Sequence, residues 1–167
     1  MNVRPDPVGL HTTGPADGGE SISVPHALAR AIALHRDALN EFVAGNAAPW
    51  KQHCSHRDDV TIIGAWGGFE KGWAAEVEKR YAWAAGRFLG SKRGMEVENI
   101  SLVVTAELAY SVDIERALVR VAGKDHLAAM ALRVTTIFRL ENGDWKMVHR
   151  HADPLLGLQT PQSVTQT

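Results

Sequence analysis

One cysteine, Cys54, occurs in 167 residues, so no intrachain disulfide can form. A chain that does without disulfides fits a reducing compartment, and a cytoplasmic location is the expectation. An excess of charge is also missing: 18 Lys and Arg stand against 19 Asp and Glu. No broad basic field therefore exists to draw in nucleic acid or an anionic membrane surface. No apolar run approaches the roughly 18 residues that a membrane helix needs. The N-terminus lacks the charged-then-apolar pattern of a secretion signal, and no internal repeat is present. What is there is an ordinary composition, 45% apolar and 22% charged, which suits one globular domain with a full core.

Residues 1–22 are dense in Pro and Gly and show no periodicity, which predicts a flexible arm. Residues 157–167 read as a polar tail of the same kind, leaving a domain over 23–156. Its first helix is expected from a cap at Ser23, with Leu28, Ile32, His35, Leu39 and Phe42 on one stripe and Gly45 closing it. "NAAPWKQHC" predicts a short second helix capped by Asn46. A third is expected from Glu70 to Phe88, with Trp73, Val77, Tyr81, Ala84 and Phe88 inside. The period then changes. Residues 97–104, 108–121, 127–140 and 145–153 are rich in β-branched side chains and separated by turn signals, the strongest being Asn142-Gly143. Helices followed by a meander of strands predict an α+β fold, a curved, mostly antiparallel sheet wrapped on three N-terminal helices.

The Asn142-Gly143 turn sets a register. It opposes Leu140 to Trp145, Phe138 to Met147, Thr136 to His149 and Val134 to His151. Closure of the preceding hairpin around Gly123-Lys124 places Tyr110 beside Phe138 and Glu115 beside Arg133. One face then carries Leu108, Tyr110, Val112, Ile114, Thr136, Phe138, Leu140, Trp145, Met147, His149, His151 and Asp153. Being apolar, it is assigned to the core. The other face carries Asp113, Glu115, Arg133, Arg139, Lys146 and Arg150, and suits an ion-paired outer surface or a subunit contact. A single β-bulge inverts this: it turns the histidines outward and Arg133 and Glu115 inward.

Two stretches, "ALNEFVAGNAAPWKQHCSHRDDVTIIGAWGGFEKGW" and "ALRVTTIFRLENGDWKMVHRHADPL", resemble the SnoaL-like branch of the nuclear transport factor 2-like superfamily. The second is also similar to the association domain of calcium/calmodulin-dependent kinase II. The resemblance spans about residues 26–156. It implies a cone-shaped α+β fold, a pocket between sheet and helices, and a homodimer formed through the outer sheet face. The branch includes isomerases, cyclases, dehydratases, hydrolases and non-catalytic binding or assembly modules, so fold leaves function open. Ketosteroid isomerases place their proton-shuttling aspartate where this chain has Gly64 and their oxyanion tyrosine about where it has Ala38. The kinase domain's pocket arginines fall near Thr136 and Ala152.

His149, His151 and Asp153 sit where the assigned inner face turns polar, and imidazole titrates near neutrality, which suits proton transfer. They are the candidate catalytic set, weighed against the blander role of finishing a strand. Trp50, Trp66, Tyr81, Tyr110, Thr136, Phe138 and Arg133 are the candidate ligand-binding residues. Buried aromatics are more often plain core, but Trp66 beside Gly67-Gly68 is placed to lid a cavity. His35 reads first as a core histidine. "HCSH" at His53 to His56 fits no strong zinc spacing, and no metal or other cofactor is expected. The function expected is binding of a small, largely apolar molecule, with cofactor-free acid–base catalysis as the enzymatic form and an assembly module as the alternative.

Overall fold

The computed structural model describes residues 24–164; the expected arm over 1–22, the Ser23 cap and the last three residues lie outside it. Helix α1 spans His26–Val43 and buries the stripe Leu28, Ile32, His35, Leu39 and Phe42. Asn46 accepts a hydrogen bond from the Ala48 N–H and leads into α2, Ala48–His53. Strands β1 (Thr61–Ile63) and β2 (Phe69–Lys71) form a small hairpin. The helix expected from Glu70 to Phe88 is shorter. Glu70 belongs to β2, and Gly72 at φ +83° breaks the chain before a π-helical turn, Trp73–Val77. That turn runs into α3, Glu78–Ala85, and Phe88 already starts β3, Phe88–Ser91. Four longer strands follow: β4 (Glu96–Val104), β5 (Leu108–Val121), β6 (Ala128–Glu141) and β7 (Asp144–Pro154).

The seven strands form one strongly curled sheet in the order β2-β1-β7-β6-β5-β3, with β4 also paired to β5. All pairings are antiparallel except β1 with β7. The helices close the concave side, where Leu28, Val43, Trp50, Val60, Val77, Leu102, Val119 and Met147 form the driest part of the core. At about 25 cal/mol per Å² of buried apolar surface, this concave layer is the main source of stability.

Register departs from expectation at two places. Across β6 and β7 the turn pairs Glu141 with Asp144 and Phe138 with Met147, as predicted, but a bulge then intervenes. Beyond it Ile137 faces His149, Thr136 faces Arg150 and Thr135 faces His151. The hairpin between β5 and β6 is also one residue out: Tyr110 pairs with Ile137 and Glu115 with Leu132. Together these shifts reverse most of the face assignment. Asp113, Glu115 and Arg150 are buried on the concave side, while Leu108, Tyr110, Ile114, His149, His151 and Asp153 stand on the convex side. Trp145, Met147, Thr136 and Phe138 keep the inward orientation expected of them. The cause is the strand's period of two, which turns every side chain over when one residue is gained or lost.

Candidate functional site

A cavity of about 500 Å³ opens between the sheet and the helices, within the range of small-molecule sites. Its wall is mostly apolar: Phe42, Phe88, Val119, Met130, Leu132 and Ala152 are representative. Three charged side chains reach the lining, namely Arg80, Glu115 and Arg150. Glu115 from β5 and Arg150 from β7 form a bidentate ion pair across the intervening β6. Arg150 Nη1 donates to Oε1 at 2.9 Å and Nη2 to Oε2 at 2.7 Å. Both side chains are less than a tenth exposed. The guanidinium also lies 5.2 Å over the Trp50 ring. Burial works against the charge on Arg150, but Glu115 outweighs it and keeps the guanidinium protonated.

The mouth is aromatic and glycine-rich. Trp66 packs at 5.2 Å on Phe88 and edge-on at 5.7 Å to Trp83. Arg80 lines the cavity beside them, donates to the Gly67 carbonyl, pairs with Glu70 at 3.5 Å and lies 4.5 Å over Trp83. A side chain at Gly64 would come within 2.8 Å of Arg80 Nη2, so the glycine there makes room for this arginine. Leu155 and Leu156, just after β7, complete the rim.

Behind Glu115 lies a second, much smaller chamber of about 20 Å³, lined by His35, Asn99, Ser111, Asp113 and Glu115 among others. Asn99 Nδ2 donates to Asp113 at 2.8 Å. His35 is packed at 4.4 Å on Trp50 and edge-on to Phe138. Burial holds the His35 imidazole well below its ordinary pKa, with nearby Arg150 adding to the effect. Burial pushes the Asp113 carboxyl up and the Tyr81 hydroxyl well up, and it raises the Cys54 thiol, so that cysteine is inert.

These shifts carry a pH dependence. Below its ordinary 6.5, the unfolded chain protonates His35 while the folded chain does not. Stability is therefore complete above that value and falls as pH drops through it, by up to about 1.4 kcal/mol per pH unit for a fully buried imidazole. His53 and His149 are lowered too and act in the same sense. Asp113, raised, acts oppositely but in the lower window above 3.8. Urea midpoints measured between about pH 7.5 and 5.5 should fall with pH, and His35→Gln should flatten the slope. An unchanged slope in that variant removes His35 as the cause.

Of the residues singled out from sequence, Trp50, Trp66 and Tyr81 line the cavity. Thr136 and Phe138 are buried behind it, Phe138 in the core and against the small chamber. Tyr110 and Arg133 lie on the convex face, where Arg133 pairs with Asp153. His149 bonds through Nδ1 to the Thr61 hydroxyl at 2.7 Å, and His151 is exposed on the same face. The three candidate catalytic residues thus do not reach the cavity, and the inward parity expected of them is corrected. Sequence reasoning paired Glu115 with Arg133 and missed Arg150, Arg80 and Asp113. The available signal was polarity: in β5 the residues Ala109, Ser111, Asp113 and Glu115 are the polar parity, and that parity is the buried one. Among the described residues no group of three His, Cys, Asp or Glu side chains is placed to hold a metal ion. No helix among them is long and apolar enough to cross a membrane.

A curled sheet capped by helices over an apolar cavity, with a polar pair at its base, defines a cone-shaped α+β pocket protein. The SnoaL-like domain family matches residues 33–155, and the chain belongs to that family. Solved structures agree on the fold. A ketosteroid isomerase-like protein from Erwinia carotovora atroseptica superposes with a TM-score of 0.65 at 14% identity, covering 78% of this chain and 95% of its own. A nominal calcium/calmodulin-dependent protein kinase type II association domain from Thiobacillus denitrificans gives 0.61 at 21%, covering 75% and 93%. A nominal dehydratase of the NTF2-like family from Streptomyces avermitilis gives 0.61 at 18%, covering 78% and 95%. At these identities the likeness is one of fold. No curated protein sequence matches the chain.

Proposed function

We propose that this chain binds a small, largely apolar molecule in the cone cavity, with its polar end against Glu115 and Arg150. The observation that carries the reading is the buried bidentate pair at the base of a mostly apolar space. Burying two charges costs several kcal/mol per ion before pairing repays it, so a pair kept on a cavity wall is better explained by a ligand than by stability. Cofactor-free proton transfer of the isomerase, cyclase or dehydratase type belongs to the same reading. It would use the Glu115 carboxylate as proton acceptor and Arg150 to hold a developing oxyanion, both on a mostly apolar wall. His149, His151 and Asp153, on the opposite face, have no part in it.

A second reading concerns assembly. The convex face exposes Ile100, Leu108, Tyr110 and Leu118, with Val112, Ile114 and Ile137 half-buried among them. Apolar side chains exposed on one sheet face support a homodimer formed through it.

Binding is tested with the uncharged fluorescent probe N-phenyl-1-naphthylamine. One probe per chain is expected, with a blue-shifted emission. Ala152, inward-facing and buried beside Arg150, offers a way to fill the space. Ala152→Phe should weaken binding at least about tenfold while the far-ultraviolet circular dichroism is kept. Unchanged affinity in that variant and in Leu132→Trp would place the probe elsewhere and end this reading.

A further inference from the structure

Every cationic group on the cavity lining already has a carboxylate partner in the chain. Arg150 is held in both its Nη groups by Glu115, and Arg80 at the mouth pairs with Glu70. Asp113 adds a further carboxyl behind Glu115, in the chamber that the two share. The cavity base therefore carries no net positive charge. It still offers hydrogen bonds of both kinds: guanidinium donors beyond the two used, and carboxylate lone pairs beyond the two filled.

We infer that the site selects uncharged ligands whose polar end both donates and accepts hydrogen bonds, such as a carboxamide, hydroxyl or enol, and that Glu115 is the residue that rejects carboxylates. The inference rests on the small-molecule reading above and names its substrate class. An entering carboxylate would bring a second negative charge beside Glu115, whose own side chain is buried in the wall and poorly screened by solvent. Arg150's spare donors could reach it only with that charge held close to Glu115, and a bidentate grip would require Arg150 to leave Glu115 and strand that carboxylate unpaired in the wall. A neutral group meets no such conflict, because it adds its hydrogen bonds around an intact pair. Discrimination of this sort comes from a repulsive element as much as from an attractive one. Removing that element should turn the same cavity into an anion site, since Arg150 would then face the ligand alone.

The test uses 2-naphthamide and 2-naphthoate, two molecules of nearly the same shape, titrated calorimetrically at neutral pH against the full chain. The wild type should bind the amide about 100-fold or more tighter than the carboxylate, the size of the cost of stranding a buried charge. Glu115→Gln should gain affinity for the naphthoate by a similar factor. The double variant Glu115→Gln/Arg150→Gln should lose that gain. Equal binding of the two probes by the wild type overturns the inference and leaves the small-molecule reading standing. Failure of N-phenyl-1-naphthylamine and of both naphthyl probes to bind sinks the reading itself, and the inference with it. A wild type that prefers the amide beside a folded Glu115→Gln that does not gain naphthoate removes Glu115 as the determinant. Should the single variant not fold, the double variant decides: loss of the amide preference in it supports the pair as the determinant, and a preference as large as the wild type's overturns the inference.

Discussion

Arg150→Met should lower the thermal midpoint by about 10 °C, the largest effect expected of any single substitution here. The replacement leaves Glu115 on the cavity wall with its partner gone, and breaking a buried pair this way costs about 3–5 kcal/mol. For a domain of this size each kcal/mol is worth roughly 2–4 °C. Glu115→Leu alone should be damaging for the converse reason. The double variant Glu115→Leu/Arg150→Met should recover most of the loss, because two apolar side chains of similar volume need no partner. A calorimetric double-mutant cycle measures the coupling directly. If the two single losses simply add, Glu115 and Arg150 are not a coupled pair. Recovery of the fold without recovery of probe binding is the outcome that ties the pair to ligand rather than to folding.

The second large effect is on assembly. Ile137→Glu should leave the chain monomeric, weakening self-association by about 100-fold or more, as the loss of a central interface residue does. Ile137 lies mid-strand in β6, half-buried on the convex face, opposite Tyr110 on one side and His149 on the other. A carboxylate there would be desolvated in any contact made through the face, yet it is free to point into water in the monomer. Sedimentation velocity on both forms reads the outcome, with Lys124→Glu in the β5–β6 turn as a control outside the face. A wild type that is monomeric at micromolar concentration, or an Ile137→Glu form that still dimerises, rules this face out as the seam.

Both predictions come from an inversion that is instructive in physical terms. Strand β5 alternates Leu108, Tyr110, Val112 and Ile114 with Ala109, Ser111, Asp113 and Glu115. Alternation of this kind names a strand reliably, but it says which parity is more apolar, not which parity is inside. In a lone globular domain the two questions have one answer. Here the concave parity of β5 holds a polar pair and its convex parity from Leu108 to Ile114 stays apolar, so the ordinary inference chose the wrong parity. Local rules of this sort fail first where function or assembly overrides them. The β7 bulge compounds the error. Nothing in "KMVHRHADP" demands an extra residue near Val148, and strong curvature of the sheet supplies the need.

The sequence by itself determined the order of the three helices and the four long strands, the turn at Asn142-Gly143, the buried stripe of α1, the aromatic cavity residues Trp50, Trp66 and Tyr81, and membership of the SnoaL-like family. Such features rest on periodicity, turn chemistry and residue type, which are properties of neighbours along the chain. Only the tertiary structure decided that Glu115 meets Arg150, 35 residues away, and that His149, His151 and Asp153 face outward. Those outcomes depend on the registers of two hairpins, and a register is settled by the curvature of the whole sheet. A shift of a single residue there leaves every local preference satisfied and moves the chemistry to the other side.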